Sequence, residues 1–213
     1  MTIIIAAVAP QFAIVATDSL RSADDGTQIL VCKTRSLSDR VVVAKGGYGF
    51  LSDGIWANLL ALPAETRDSP YLVADAIELA AQPIYDFCKK VADNAGAADL
   101  GLYFIVSGIG PDGRGVVISV DVRTRDRKTF HCDDGIRVVG VGSTPKAHDL
   151  AIETANASGD PLDPRKWVAA AVQAGAEEDA ATIGFPAHGW IIRSGGVEQF
   201  TISGPSRNDL SNP

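Results

Sequence analysis

The stretch Thr2-Ile3-Ile4-Ile5-Ala6-Ala7-Val8, Ala9-Pro10-Gln11, Phe12-Ala13-Ile14-Val15-Ala16, ending on Thr17-Asp18, decides the fold. Short β-branched runs joined by a proline-containing break predict a hairpin. Both runs are apolar at nearly every position, so each strand must be covered on both faces.

Reading outward, residues 28–32 and 40–44 form a second predicted strand pair. Gly46-Gly47-Tyr48-Gly49 then breaks the strand and opens a helix over 50–62, stopped by Pro63. Ser69-Pro70 supplies a cap and first turn for a helix over 70–91, with Pro83 inside it. Strands over 100–109 and 116–122 flank the turn Pro111-Asp112-Gly113. Residues 128–132 and 136–141 form a predicted pair around Asp133-Asp134-Gly135. A helix capped by Ser143 or Thr144 runs to about 157, and one capped by Asp163-Pro164 covers 165–175. Strands over 190–193 and 197–202 turn at Gly195-Gly196, and a polar tail begins near 204. The order ββ–ββ–αα–ββ–ββ–αα–ββ implies an α+β chain. Hairpins punctuated by helix pairs suggest two sheets face to face with helices outside, a four-layer αββα sandwich in one domain spanning 1–213.

Composition narrows the function. At 213 residues with 46 % hydrophobic side chains, the chain buries enough apolar surface to fold without disulfides. A net charge of −7 disfavours nucleic acid, whose phosphates such a surface repels. Arg123, Arg125, Arg127 and Lys128 alternate with Thr124 and Asp126, as a solvated strand end does. Cys32, Cys88 and Cys132 are far apart, which describes reduced thiols in a cytoplasmic protein. His131, His148 and His188 share no metal-ligand spacing, so neither a metal nor a cofactor is expected. The N-terminal apolar run lacks a basic lead-in and is broken at Pro10, and no stretch reaches the length of a membrane span.

The chemistry is expected at strand ends. Methionine before a small residue is commonly removed, which frees the α-amine of Thr2. A hydroxyl is a poor nucleophile at neutral pH and needs a base beside it. A free α-amine, titrating near 7.7–8.0 in model compounds, serves as that base without histidine. Asp18 ends the second strand, where its carboxylate returns beside Thr2. Lys33 follows the third strand run, and its ammonium favours the alkoxide. Gly46-Gly47 ends the fourth, where an exposed N–H of either glycine serves as an oxyanion donor. Taken one at a time, Asp18 also suits a turn cap, Lys33 a solvated strand end and the glycines a tight bend.

Together these residues resemble the proteasome β-subunits and the related bacterial protease HslV, which are N-terminal-nucleophile threonine hydrolases. The resemblance rests on Thr2, Asp18-Ser19, Lys33 and Gly46-Gly47, with Leu37, Asp39 and Val41-Val42 in similar context. It implies that Thr2 is the nucleophile. It extends more loosely through Gly140-Val141-Gly142-Ser143 and Glu178-Asp179-Ala180-Ala181-Thr182, placing Ser143, Asp179 and Thr182 in supporting roles. Ile3 stands where the family has a second threonine. Leu20 replaces its arginine, with Arg21 one place later, and the Ser143 loop is out of register. The resemblance implies a self-compartmentalising threonine endopeptidase acting on unfolded protein or peptide. It implies a homo-oligomeric ring or stacked double ring, helices 50–62 and 70–91 at subunit contacts, and an ATP-dependent unfoldase as partner. Two rival readings are a catalytically inert ring subunit and an amidase of the same type acting on a small molecule.

Overall fold

The computed structural model describes residues 2–22, 26–94, 100–141, 145–157, 163–181 and 183–204. Strands β1 (Ile4–Ala9) and β2 (Phe12–Asp18) form the expected hairpin, antiparallel from Ile4↔Thr17 to Ala9↔Phe12 around Pro10 and Gln11. Every residue of both strands is buried. Alternation explains it. Ile5, Ala7 and Ile14 face Trp167, Val168 and Ala171 of helix α5 (Pro164–Glu178), which packs against α4 (Pro145–Ala157). Ile4, Ala6, Ala13 and Val15 face Val42, Ala44, Ile105 and Val117 of a second sheet. Each valine or isoleucine taken from water contributes about 1.5–3 kcal/mol, so one residue of register slip between the faces is heavily penalised.

That second sheet runs in the order β5 (Thr34–Ser36), β6 (Val41–Gly47), β7 (Leu102–Ile109), β8 (Gly115–Asp121), β9 (Asp126–Phe130). Its other face buries Val41, Val43, Phe104, Val116 and Ile118 against α1 (Gly49–Leu60) and α3 (Pro70–Asn94), with the short α2 (Ala64–Arg67) between them. The opposite side of α3 leaves Leu79, Phe87 and Val91 exposed. Gly115 allows the β1–β2 turn to approach closely. A Cβ there would collide with the carbonyls of Ala9 and Phe12, and the Gly115 N–H donates to Pro10 O at 3.2 Å.

The first sheet runs β10 (Arg137–Val141), β1, β2, β11 (Ala187–Arg193), β12 (Gly196–Ile202). A third sheet has two strands, β3 (Leu20–Ser22) and β4 (Gln28–Leu30). The expected four-layer αββα sandwich is corrected by this inventory. Among the described residues the chain is α+β, with three antiparallel sheets and five helices; the β3–β4 ribbon and α2 have no place in a four-layer scheme.

Two expected pairings are also corrected. Residues 28–30 pair with 20–22, not with 40–44, and β6 takes its partner from 34–36. All three residues of β4 are exposed, which suits a ribbon outside the main sheets. Strands β9 and β10 lie in different sheets. The Asp121 carboxylate accepts the N–H groups of Arg123 (3.0 Å) and Thr124 (3.3 Å), and Arg125 sits at φ 57°. This local turn commits β9 to β8, so Asp133-Asp134-Gly135 carries a crossover. Among the described residues, no helix is long and apolar enough to cross a membrane.

Candidate active site

The hairpin register sets the site. The Asp18 N–H donates to Ile3 O at 3.4 Å, so the last residue of β2 returns beside the first residues of the chain. The Asp18 side chain is fully buried. Its Oδ1 accepts the Ile3 N–H at 3.2 Å, and its Oδ2 accepts Leu20 N–H at 3.1 Å and Gly184 N–H at 3.4 Å. Lys33 lies just before β5 and is also buried. Its ammonium stands 2.9 Å from both Asp18 oxygens, 2.5 Å from Leu20 O and 3.1 Å from Thr2 Oγ1. Four acceptors thus surround three N–H donors, which holds the ammonium in one place against the threonine hydroxyl.

Burial acts on both partners. It pushes the Lys33 ammonium below the usual lysine range, against the upward pull of Asp18. It pushes the Asp18 carboxyl up, against the Lys33 charge and the N–H groups of Ile3 and Gly184. Thr2, only 6 % exposed, therefore has its hydroxyl oxygen in a dry pocket beside one cation.

Backbone alternation distinguishes the two glycines. The Lys45 N–H donates to Lys33 O at 2.9 Å, on the β5 side of β6, and the Tyr48 N–H donates to Gly101 O on the β7 side. Amide directions alternate along a strand, so Gly47 N–H points to the Lys33 side and Gly46 N–H into β7. Of the two glycines, Gly47 therefore presents its N–H on the side where Lys33 lies. Its φ of 92° and the carbonyl of Gly101, into which a Cβ would run, reserve the position for glycine. Gly46 is required for another reason: a Cβ there would strike the ring of Tyr103.

Lys33 joins Thr2 and Asp18 through its ammonium, with Gly47 at the end of the neighbouring strand β6. Asp179, just past α5, enters through its backbone: its carbonyl accepts the Ile183 N–H at 3.0 Å, next to the Gly184 that binds Asp18. Ser143 and Thr182 lie outside the described residues, as does Met1.

Three contributors were absent from the sequence reading. Gly184 N–H and Leu20 O complete the shell around Asp18 and Lys33. Tyr103 on β7 donates its phenol hydroxyl to Thr2 O at 3.4 Å. Burial and the Asp18 charge push that phenol up to about 12. Tyr103 sits in an apolar strand, where nothing in its spacing ties it to Thr2. Beside this group lies a second buried lysine. Lys45 pairs with Asp53 of α1 and stands 3.9 Å from the Trp56 ring centre, and Arg21 shares Asp53 at 3.0 Å.

No family model and no curated protein matches the chain. A solved structure does: the Gly-1 mutant of Anbu from Hyphomicrobium sp. strain MC1 matches 100 % of this chain and 92 % of its own, with a TM-score of 0.67. The chain shares the fold of Anbu. Sequence identity is 14 %, so the likeness concerns the fold alone. Anbu is a proteasome-like relative of the N-terminal-nucleophile hydrolases. The assignment to proteasome β-subunits and HslV is corrected accordingly: the motifs of the first fifty residues find no family model, and the structural likeness is to Anbu. Those motifs are ends of a shared hairpin architecture and do not by themselves select one family.

Proposed function

We propose that the chain is a threonine-type amide hydrolase in which Thr2, freed of Met1, attacks the carbonyl of a peptide bond. The observation that carries this reading is the Lys33 ammonium 3.1 Å from Thr2 Oγ1, held there by the buried Asp18 carboxylate. An ammonium so placed lowers the cost of forming a threonine alkoxide.

The Thr2 hydroxyl proton passes to the neutral α-amine of the same residue as Oγ1 bonds to the substrate carbonyl carbon. Negative charge gathers on the carbonyl oxygen, which the Gly47 N–H receives. The carbon–nitrogen bond then breaks, and the α-ammonium returns the proton to the leaving amine. Water, deprotonated by the same amine, hydrolyses the ester, and Thr2 regains its hydroxyl. The likeness to Anbu supports a hydrolase, and the pocket chemistry supports threonine as its nucleophile.

The test couples intact mass to covalent labelling. Protein lacking Met1 is treated with an epoxyketone or vinyl sulfone, and one adduct at Thr2 is expected, with none in Thr2→Ala. Met1-free protein that takes no label at Thr2 overturns the reading. Cleavage of unfolded casein separates a peptidase from an amidase limited to small molecules.

A further inference from the structure

The peptide unit joining Thr2 to Ile3 has both its polar groups bound by side chains from different sheets. Its N–H, contributed by Ile3, donates to Asp18 Oδ1 at 3.2 Å. Its carbonyl, contributed by Thr2, accepts the Tyr103 hydroxyl at 3.4 Å. Asp18 ends β2 in the first sheet, and Tyr103 belongs to β7 in the second, so the peptide plane spans the gap between them. The orientation of this plane sets ψ of Thr2, and with it the direction from which Oγ1 meets Lys33 and an incoming carbonyl.

Tyr103 is itself fixed. Its ring lies over Gly46, occupying the space a Cβ would need, and its residue is the register partner of Gly46 in the β6–β7 ladder. The phenol is thus locked by the strand that continues into Gly47. We propose that Tyr103 is a positioning residue that locks the Thr2–Ile3 peptide plane against β6, so that the nucleophile and the Gly47 N–H are held by one strand pair. This role rests on Thr2 being the nucleophile. Tyr103 touches the backbone of the nucleophilic residue and none of the reacting atoms, so it acts on the rate of attack and not on substrate affinity.

Tyr103→Phe keeps the ring over Gly46 and removes only the hydroxyl. In single-turnover acylation of Met1-free protein by an activated peptide ester, the saturating rate is expected to fall about 5- to 10-fold, the scale of one neutral hydrogen bond. The half-saturating ester concentration should stay within about twofold, because uniform binding is untouched. A second measurement is independent of turnover. Labelling with ¹³C-carbonyl threonine and ¹⁵N isoleucine marks the three Thr-Ile units of the chain, Thr2-Ile3, Thr182-Ile183 and Thr201-Ile202. Tyr103→Phe should move the Thr2 carbonyl resonance upfield and leave that of Thr201 in place.

A shifted Thr2 carbonyl together with a slowed, KM-neutral acylation supports the proposal. An unmoved Thr2 carbonyl, or a wild-type acylation rate in the variant, overturns it. Wild-type protein that does not acylate at all sinks the nucleophile reading and with it the positioning role, even if the carbonyl shift shows the peptide held by Tyr103.

Discussion

Lys33 and Lys45 are joined by a main-chain hydrogen bond of 2.9 Å and both are nearly inaccessible to water, yet they meet different counter-charges. The carboxylate facing Lys33 is Asp18, whose side chain is 0 % exposed, and which depends on Lys33 in return. The carboxylate facing Lys45 is Asp53, whose side chain is 49 % exposed and is also served by Arg21. Burial lowers both ammonium groups. At Lys33 the Asp18 charge pulls the other way, whereas at Lys45 the like charges of Arg21 and Arg35 add to burial and bring it to about 7. A buried lysine whose partner is also buried belongs to a unit that fails when halved. One whose partner reaches solvent stands alone, and its burial is a cost.

The same substitution at both positions is the most direct way to break this comparison, and Lys33→Met carries the largest effect. It strands the Asp18 carboxylate in a dry pocket, where losing one partner of a buried pair costs about 3–5 kcal/mol. It also removes the cation from Thr2 Oγ1, and labelling of Thr2 by an electrophile should slow by at least about 10²-fold. Lys33→Arg should not restore it, since a planar guanidinium does not fit the four acceptors gathered around a compact ammonium. Urea unfolding and labelling kinetics read the two effects separately. Wild-type labelling in Lys33→Met overturns the account of the site.

Lys45→Met should act in the opposite direction. Asp53 keeps Arg21 and water, so no charge is stranded, and the thioether fills the space against Trp56. Below about 7 Lys45 is protonated in the folded and unfolded states alike, and its full burial cost is present. Between about 7 and the ordinary lysine value of 10.5 the unfolded chain holds a proton that the folded one has released, so stability rises with pH through that window. Lys45→Met should therefore be more stable than wild type by about 1–2 kcal/mol at pH 6, after the lost cation–π contact is counted, with the advantage fading toward pH 10. Urea midpoints at pH 6, 8 and 10 measure this. A variant less stable than wild type at pH 6 would sink the contrast between the lysines.

The difference between the lysines also marks how far the sequence could be read. Thr2, Asp18 and Lys33 are legible because each stands at or beside a strand terminus, before β1, at the end of β2 and before β5, and the hairpin from Ile4 to Asp18 closes locally. Its two-sided apolar character already requires covered faces, and the packing of α5 and the second sheet supplies them. What the sequence does not show is long-range partnership. Tyr103 and Gly184 reach the site across 101 and 166 residues of separation, and no local period encodes such contacts. The same limit produced the wrong pairing of β9 with β10: two strands around an Asp-Asp-Gly turn look like a hairpin, yet the short Asp121 turn upstream had already taken β9. Lys45 reads as an ordinary strand residue because its neighbours Arg21, Arg35 and Trp56 converge on it only in three dimensions. The resemblance to proteasome β-subunits and HslV rests on the first fifty residues, which no family model matches, and the structural likeness at 14 % identity concerns the fold alone.

Asp53→Asn sharpens the comparison with the smallest effect. It keeps the shape of the side chain and removes the only carboxylate within ion-pair reach of Lys45 among the described residues. A half-exposed pair is worth about 0–1 kcal/mol, so the mean cost should be small, and the information lies in its pH dependence. Removing a negative charge makes protonated Lys45 harder to keep, which adds to the downward push of burial on its ammonium. At pH 6 the folded wild type holds Lys45 charged against Asp53, and the variant should lose up to about 1 kcal/mol. At pH 9 the folded wild type already has Lys45 neutral, so only the exposed Arg21 contact is lost and the difference should fall within about 0.5 kcal/mol. Asp18→Asn should cost more than Asp53→Asn at pH 6, because both partners of the Lys33–Asp18 pair are buried and a charged Lys33 would lose its buried counter-charge. Equal urea midpoints for Asp53→Asn and wild type at pH 6, with a gap opening at pH 9, would reverse the assigned order of events. Lys45 would then have to be charged when its surroundings favour neutrality.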